Sequence, residues 1–259
     1  KEDLRPEGRL SHVKDLPVLE LHGDPYHRGF EEGRLLKKEI REGSENIFRY
    51  LRSELPIPLA NRWIIGTVLD RAWAKMEPFI SYEEYLQMKG LSDGSGVSFK
   101  TLCRIHALPE VYPTWCSNGA YWGNATEDGR LIAIRNLDWN RKIGVHRNAV
   151  VTFHSMPGAS SYVNIGYQGF IGVLSGLNEH GISVGQIGAT SQEETMRAVP
   201  MPFLLHRILS QANSLEDVKR IFTSYPLSRG YNYVIASAKE RAAMAVEATA
   251  RHVEFFSDE

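Results

Sequence analysis

Residues 114–139, TWCSNGAYWGNATEDGRLIAIRNLDW, combine a cysteine, a turn and a charged cluster in a short length of chain. Cys116 stands near the start of the stretch, and Arg135 and Asp138 stand near its end. Apolar and aromatic residues flank the turn sequence TEDGR, which predicts two strands, 117–122 and 131–137, that pair as a hairpin. A cysteine that only fills a hydrophobic core needs no charged segment on the paired strand. The stretch therefore favours a nucleophilic Cys116, framed by Arg135 and Asp138.

The chain after this hairpin has the pattern of an antiparallel sheet. Further strands are predicted at 149–154, 161–166, 170–175 and 182–186, separated by turn-rich sequences such as MPGAS and LNEHG. A helix pair follows, with Ser214 as the cap of its second helix, and two or three more strands come after it. Strands in hairpin runs, not alternating with helices, predict an α+β protein with stacked antiparallel sheets and helices outside.

The segment ahead of the hairpin is predicted to be mostly helical, with a short strand near its start. Gly29 and Gly33 lie four residues apart, which predicts close packing of one helix face against a sheet. A later helix is predicted to end at Gly90, and Pro113 is predicted to end the last helix just before Cys116. A buried helical stripe is predicted within residues 59–89: Trp63, Ile64, Leu69, Trp73 and Met76.

The composition limits the class of protein and its partners. The 259 residues suffice for one large domain or two small ones. A net charge of -1 gives no electrostatic reason to expect nucleic acid or an anionic membrane as a partner. The longest apolar runs are too short to cross a bilayer. Cys103 and Cys116 make neither a disulfide framework nor a zinc pattern, so no metal and no cofactor is expected. The sequence does not decide whether the protein is cytoplasmic or exported, or whether it self-associates.

Nucleophilic catalysis by a thiol needs the thiolate, which a nearby positive charge or base promotes. Arg135, on the paired strand, carries a charge that is always present. Asp138 lies three residues further, which in a regular strand is the opposite face. A bend or bulge at Asn136-Leu137 would turn both side chains inward. From these residues alone, a packing cysteine and a surface salt bridge are the alternatives.

Four motifs in order resemble the isopenicillin-N acyltransferase-like branch of the N-terminal-nucleophile hydrolases, which is related to choloylglycine hydrolases and acid-ceramidase-like amidases. The first motif is CSNGAYWGNATEDGRLIAIRNLDW, with its Cys, Trp-Gly, Thr-x-Asp-Gly and Arg-Asn-x-Asp-Trp elements. The others are GDPYHRGFEEGRLL, SGLNEHGISVG and VPMPFLLHRILSQANSLEDVKRIF. The resemblance covers nearly the whole chain, and the order of the four motifs makes it more specific than any single motif.

The resemblance implies a fold and a reaction. The fold is an αββα sandwich of two stacked antiparallel sheets with helices on both outer faces. Residues 1–115 correspond to a helical, propeptide-like segment, and residues 116–259 to a catalytic core that begins at the nucleophile, packed as one globular unit. The reaction is that of a cysteine amidohydrolase or acyltransferase, which attacks an amide bond of a small acylated-amine or peptide-like substrate and forms an acyl-enzyme.

The resemblance also implies roles for three residues. Cys116 is the nucleophile, and self-cleavage before it frees an α-amine that acts as the base, since an α-amine titrates near ~8. Asp138 orients this amine. Arg135 polarises the thiol or the bound carbonyl.

Three positions depart from the family pattern. Trp115 precedes the nucleophile, where a small residue would ease the backbone strain of self-cleavage. Gly188 stands where choloylglycine hydrolases place a catalytic asparagine, so a backbone N–H would have to serve there. The asparagine that usually donates to the oxyanion is expected beyond Glu259.

Other polar and aromatic residues have two interpretations. Asn178 and Glu179 belong to the motif GLNEHG, and a hairpin turn explains them. Asn232 is a reserve candidate for a polar contact in the cleft. No sequence spacing pairs a histidine with Cys116; the histidines considered are His146, His154, His180 and His206. Four aromatic residues are candidates for the wall of an acyl pocket, with the core as the ordinary alternative: Trp122, Trp139, Tyr167 and Phe170.

Two other functions fit part of the sequence. A catalytically inactive binding protein on the same scaffold would keep one uncut chain and turn over no acylated amine. A papain-type protease would need a histidine directed at Cys116 and a thiol at a helix start, whereas the sequence predicts a strand there.

Overall fold

The computed structural model of the chain describes residues 7–54, 61–112 and 115–257. Its strands are β1 Arg9–Val13, β2 Leu16–His22, β3 Trp115–Gly123, β4 Gly129–Asp138, β5 Ala149–Ser155, β6 Tyr162–Tyr167, β7 Ser175–Asn178, β8 Ile182–Gly188, β9 Tyr231–Ser237, β10 Ala242–Ala248 and β11 Val253–Ser257. Its α-helices are α1 Pro25–Leu35, α2 Lys37–Ser53, α3 Asn61–Met76, α4 Tyr82–Ser95, α5 Phe99–Val111, α6 Met201–Gln211 and α7 Leu215–Ser224. Helices dominate the part before Cys116 and strands dominate the part after it, as the sequence predicts.

Nine strands form one large sheet in the order β1-β2-β5-β6-β7-β8-β9-β10-β11. Neighbouring strands are antiparallel except β2 and β5, which run parallel. The strands predicted at 149–154, 161–166 and 182–186 are present as β5, β6 and β8. Ser214 caps α7 as predicted, because its side chain accepts from the Asp217 N–H at 3.1 Å.

Strands β3 and β4 form a separate two-stranded antiparallel sheet, called the hairpin below. Two glycines show which layer covers each face of the large sheet. A Cβ added at Gly176 would meet Leu209 of α6 at 2.4 Å, whereas one added at Gly185 would meet Arg135 of the hairpin at 3.1 Å. Gly176 pairs with Val184, the neighbour of Gly185, so the two glycines face opposite sides.

The predicted α+β class is therefore confirmed. Two stacked sheets are present, the large sheet and the hairpin, and helices pack on the face of the large sheet opposite the hairpin. One hydrophobic cluster contains residues from both sides of Cys116, for example Leu102 of α5 and Leu204 of α6. The division into a propeptide-like segment and a catalytic core stays a prediction. Within the described residues, no helix combines the length and the apolar character that a membrane span requires.

Residues 170–175, predicted as a strand, form a buried loop, and β7 begins only at the end of this range. The Ile171 N–H donates to Nε2 of His106 at 3.1 Å, and the Val173 N–H donates to the carbonyl of Pro202 at 2.9 Å. These backbone groups bond to the helical layer instead of a neighbouring strand. The strand prediction is wrong because an apolar run marks burial but does not identify the partner of its backbone.

Helices α1 and α4 approach each other through glycines on both partners. A Cβ added at Gly29 would lie 1.9 Å from the Gln87 carbonyl oxygen, and one added at Gly90 would lie 2.0 Å from the Tyr26 carbonyl oxygen. The close packing predicted at Gly29 and Gly33 is present, but its partner is α4, so the prediction of a sheet partner is wrong. Glycine spacing indicates a near approach of backbone, which a helix satisfies as well as a sheet.

Two further details of the helical part differ from the prediction. Helix α4 continues through Gly90 and ends at Ser95, where Gly96 adopts a left-handed φ of 71°. Trp63 and Ile64 are 80% and 44% exposed, so their place in the buried stripe is wrong. The buried residues of α3 in the hydrophobic cluster come from its later turns, and Ile65 packs against the cluster as a partly buried residue. The other members of that stripe are buried: Leu69, Trp73 and Met76.

The substitution Gly90→Ala is expected to destabilise the fold by about 3 kcal/mol or more, because its Cβ meets backbone that cannot move aside. Gly43→Ala is the matched control in α2, where the new Cβ would meet only the side-chain amide of Asn148, at 3.0 Å. Urea denaturation of both variants measures the difference. Equal stability of the two variants would show that α1 and α4 do not pack through these glycines.

Candidate active site

The hairpin places Cys116 and Arg135 on the same face. In its antiparallel register Cys116 pairs with Leu137, and Asn118 pairs with Arg135. Because residues two apart on a strand share a face, the side chains of Cys116, Asn118 and Arg135 all point to the large sheet. Nη2 of Arg135 donates to Sγ of Cys116 at 3.2 Å. Its Nε donates to the carbonyl of Gln186 in β8 at 3.4 Å.

Gly185 makes room for this arrangement. A Cβ at this position would lie 3.1 Å from Cγ of Arg135 and 3.5 Å from Cβ of Asn118. The hairpin can therefore lie against β8 with the guanidinium directed along the strand toward the sulfur. Burial lowers the pKa of Arg135, and the negative charge available on Cys116 opposes this shift. Arginine remains protonated despite such a shift, so the sulfur has a permanent cation beside it.

Tyr167, at the end of β6, completes the group around the sulfur. Burial raises the pKa of its phenol, the charge of Arg135 lowers it, and that of Cys116 raises it. The phenol is therefore protonated at neutral pH and lies within electrostatic range of both residues. The sequence pointed to Tyr167 only as a pocket wall, because its approach to Cys116 depends on how the hairpin stacks on the large sheet.

Asp138 has a different position. It pairs with Trp115 on the opposite face of the hairpin from Cys116, and it is exposed. The prediction of a bulge at Asn136-Leu137 is wrong. The pairing register is continuous there and shifts instead between Tyr121 and Gly123. Asp138 nevertheless interacts electrostatically with Arg135. Asp138 thus lies opposite Trp115, the residue that precedes Cys116.

Two polar groups between the hairpin and the large sheet are buried without a hydrogen-bond partner in the described part of the chain: Nδ2 of Asn118 and Oδ1 of Asn232. Asn232 pairs with Ile187, which lies on the same face of β8 as Gly185, so the reserve candidate faces the hairpin layer. Asn118 was missed by the sequence reasoning. Its signal was a spacing of two from Cys116 in a predicted strand.

Two cavities adjoin this group. A cleft of about 640 Å³ lies between the hairpin and the large sheet, and Arg135, Leu177 and Val234 line it. An apolar pocket of about 50 Å³ lies at Tyr167. Residues before and after Cys116 build this pocket; they include Ile47, Ile105, Leu108, Trp139, Tyr167 and Phe170. Three of the four aromatic residues considered for an acyl pocket thus line one cavity, whereas Trp122 lies near the far end of the hairpin.

The remaining candidates have structural roles. Oδ1 of Asn178 accepts from the N–H groups of His180 and Ile182, which confirms the hairpin-turn interpretation. Glu179 accepts from the Ser161 N–H at 2.7 Å. None of the hydrogen bonds described for Cys116 comes from a histidine. Across residues 7–54, 61–112 and 115–257, no three His, Cys, Asp or Glu side chains group as metal ligands.

The chain matches the family model described as acyl-coenzyme A:6-aminopenicillanic acid acyl-transferase over residues 124–256, about half of its length. It therefore belongs to that family. The matched region begins after Cys116 and includes both Arg135 and Asp138.

Several known proteins are similar to this chain. Protein dcd1A and Protein dcd1B of Dictyostelium discoideum are 26% and 27% identical over 93% of the chain, which corresponds to 60% and 52% of their own lengths. An uncharacterized protein of Archaeoglobus fulgidus is 21% identical over 86% of the chain and 42% of its own length. The chain thus spans about half the length of the curated relatives that it matches.

Among solved structures, a variant of conjugated bile acid hydrolase from Clostridium perfringens is similar over 57% of this chain and 44% of that chain. The sequence identity is 11% and the TM-score is 0.30.

The buried carboxyl of Glu32 accepts a hydrogen bond from a residue that lines the apolar pocket. Oε1 of Glu32 accepts from the N–H of Gly169, a pocket residue, at 2.9 Å. Burial raises the pKa of Glu32 from 4.5 to about 7, and this hydrogen bond only partly opposes the shift. As the pH rises, the unfolded chain loses this proton before the folded chain does, so Glu32 lowers stability progressively up to about pH 7.

The substitution Glu32→Gln keeps the acceptor for Gly169 and removes the titration. Its stability relative to the unsubstituted protein is expected to rise between pH 5 and pH 9 by roughly 3 kcal/mol at most. Urea denaturation at both pH values measures this change. Glu39→Gln, on the exposed side of α2, is the control, and the same pH dependence in both variants would contradict the assignment to Glu32.

Proposed function

We propose that this chain carries the active site of a cysteine amidohydrolase or acyltransferase of the N-terminal-nucleophile type, which acts on linear amides through an acyl-enzyme. The observation that carries the proposal is the contact of 3.2 Å between the Arg135 guanidinium and the Cys116 sulfur. Membership of an acyl-transferase family supports acyl transfer as the chemistry. The cleft beside Arg135 supports a small-molecule substrate, since its size suits one.

The proposed first step is attack of the Cys116 thiolate on the carbonyl carbon of the amide. Arg135 stabilises the thiolate through a charge-assisted hydrogen bond. The carbonyl oxygen gains negative charge in this step and needs donors that are already in place. Nδ2 of Asn118 is a suitable donor, because it is buried, has no hydrogen-bond partner among the described residues, and shares a face with the thiol.

The proposed acyl-enzyme forms when the C–N bond breaks and the amine leaves with a proton. Water or a second amine then attacks the thioester and releases the acyl group from the sulfur. In the family mechanism a free α-amine at Cys116 moves these protons, which requires cleavage of the bond after Trp115. Asp138 pairs with Trp115 across the hairpin, and this register supports its role in orienting that amine.

The apolar pocket at Tyr167 supports an apolar acyl group as the part of the substrate on the carbonyl side. Trp139 and Phe170 give this pocket aromatic walls, and α2 and α5 close it from the helical layer. The amine side of the substrate would then occupy the wider cleft between the hairpin and the large sheet.

A catalytically inactive binding protein is the second candidate. Trp115 precedes Cys116, where a small residue would ease the backbone strain of self-cleavage, and both residues pair with β4 within strand β3. Cleavage would have to end this strand at the nucleophile. An uncut chain with an occupied cleft and no turnover is the outcome that this candidate predicts.

Intact-mass analysis after incubation with a panel of N-acyl amines and acyl thioesters tests the proposed function. The expected result is the addition of one acyl group, either to the whole chain or to a fragment that begins at Cys116. Cys116→Ala should abolish the addition. Arg135→Ala should slow it about tenfold or more, because a hydrogen bond to a charged group contributes about 1.5–3 kcal/mol.

Cys103→Ala is the matched control, since burial raises the pKa of the Cys103 thiol to about 12 and leaves it unreactive. This variant should be acylated like the unsubstituted protein. Acylation that persists in Cys116→Ala would overturn the proposal.

A further inference from the structure

The helical part of the chain contains a cleft of about 510 Å³ whose charged lining is strongly basic. Four arginines line it with a single acidic side chain, Glu45; the arginines are Arg41, Arg49, Arg52 and Arg104. They come from two helices, α2 and α5, which are distant in sequence. A surface that only needs to be soluble mixes both signs of charge, so this concentration of guanidinium groups in a concave site indicates an anionic ligand.

Hydroxyl groups beside the arginines favour a phosphate over other anions. Ser98 caps the N-terminus of α5, and its hydroxyl lies 2.8 Å from that of Thr101, which also lines the cleft. Because the Ser98 hydroxyl already accepts from the Thr101 N–H at 3.2 Å, the donors left for phosphate oxygens are the arginines and one hydroxyl proton. Arg104 makes two hydrogen bonds to Asp70, at 2.7 and 2.8 Å, which orient its guanidinium and also balance its charge.

The cleft is separate from the group around Cys116. The basic cleft and the apolar pocket share one lining residue, Ser44 of α2. The residues that define the cleft lie outside 124–256, the part of the chain that matches the family model. Its size fits a small molecule, which is the class of ligand that a concave site of this volume holds.

We propose that this cleft binds a soluble small molecule bearing phosphate groups, with Arg41 and Arg49 as contacts from α2 and Arg104 as a contact from α5. The binding needs neither Cys116 nor self-cleavage. The binding proposal can therefore be tested independently of the proposed acyl chemistry. Because its contacts are ionic and partly exposed, its affinity falls as salt is added.

Isothermal titration calorimetry with inorganic pyrophosphate and with ADP, in low-salt buffer and on the full chain, tests this site. Both probes are expected to bind at one site, and Cys116→Ala is expected to bind them equally well. The double variant Arg41→Gln with Arg49→Gln should weaken binding at least tenfold. These arginines are exposed, so the double variant should fold normally.

Arg71→Gln is the matched control, since Arg71 is an exposed arginine of the neighbouring α3 outside the cleft. It should leave the affinity unchanged. Co-sedimentation with phosphatidylcholine vesicles, with and without phosphatidylserine, separates a lipid headgroup from a soluble ligand. Absence of binding up to millimolar pyrophosphate and ADP, equal weakening in Arg71→Gln, or binding to anionic vesicles alone would each overturn the proposal.

Discussion

The position of one guanidinium, between the carbonyl of Gln186 and the sulfur of Cys116, governs the candidate active site. Arg135 is on a strand that packs face-on against another sheet, where a long side chain would ordinarily be forced outward. The missing side chain at Gly185 leaves the space that lets it lie flat along β8. One backbone position thus connects the stacking of the two sheets to the charge beside the thiol.

The same stacking explains how the two parts of the chain share the site. The apolar pocket takes walls from α2 and α5, before Cys116, and from Trp139 and Phe170, after it. The hydrophobic cluster is likewise continuous across Cys116. Removal of the segment before Cys116 would open both the core and the pocket. If the bond after Trp115 is cut, we therefore expect the two fragments to stay together.

The sequence was sufficient where the determining contacts are local. Alternation around the turn TEDGR predicted β3 and β4, and the motif spacing placed Arg135 on the strand that pairs with the strand of the cysteine. The buried loop at 170–175 was predicted as a strand, because its backbone partners, His106 and Pro202, are remote in sequence. Non-local contacts also explain why Gly29 and Gly33 pack on α4, and why the sequence offered no role for Asn118 and no electrostatic link between Tyr167 and Cys116. For Asp138 a local rule was sufficient. Strand periodicity alone predicted the face on which Asp138 lies, whereas the additional bulge predicted the wrong face.

The rate at which iodoacetamide alkylates Cys116 in a Cys103→Ala background tests most directly whether Gly185 holds Arg135 on the sulfur. In Gly185→Val the new side chain would displace Arg135, and the rate at a fixed neutral pH should fall about tenfold or more. In Ser183→Val, on the same face of β8, the rate should be unchanged. Circular dichroism should show both variants folded. Alkylation of Gly185→Val at the unsubstituted rate, in a folded protein, would contradict the account.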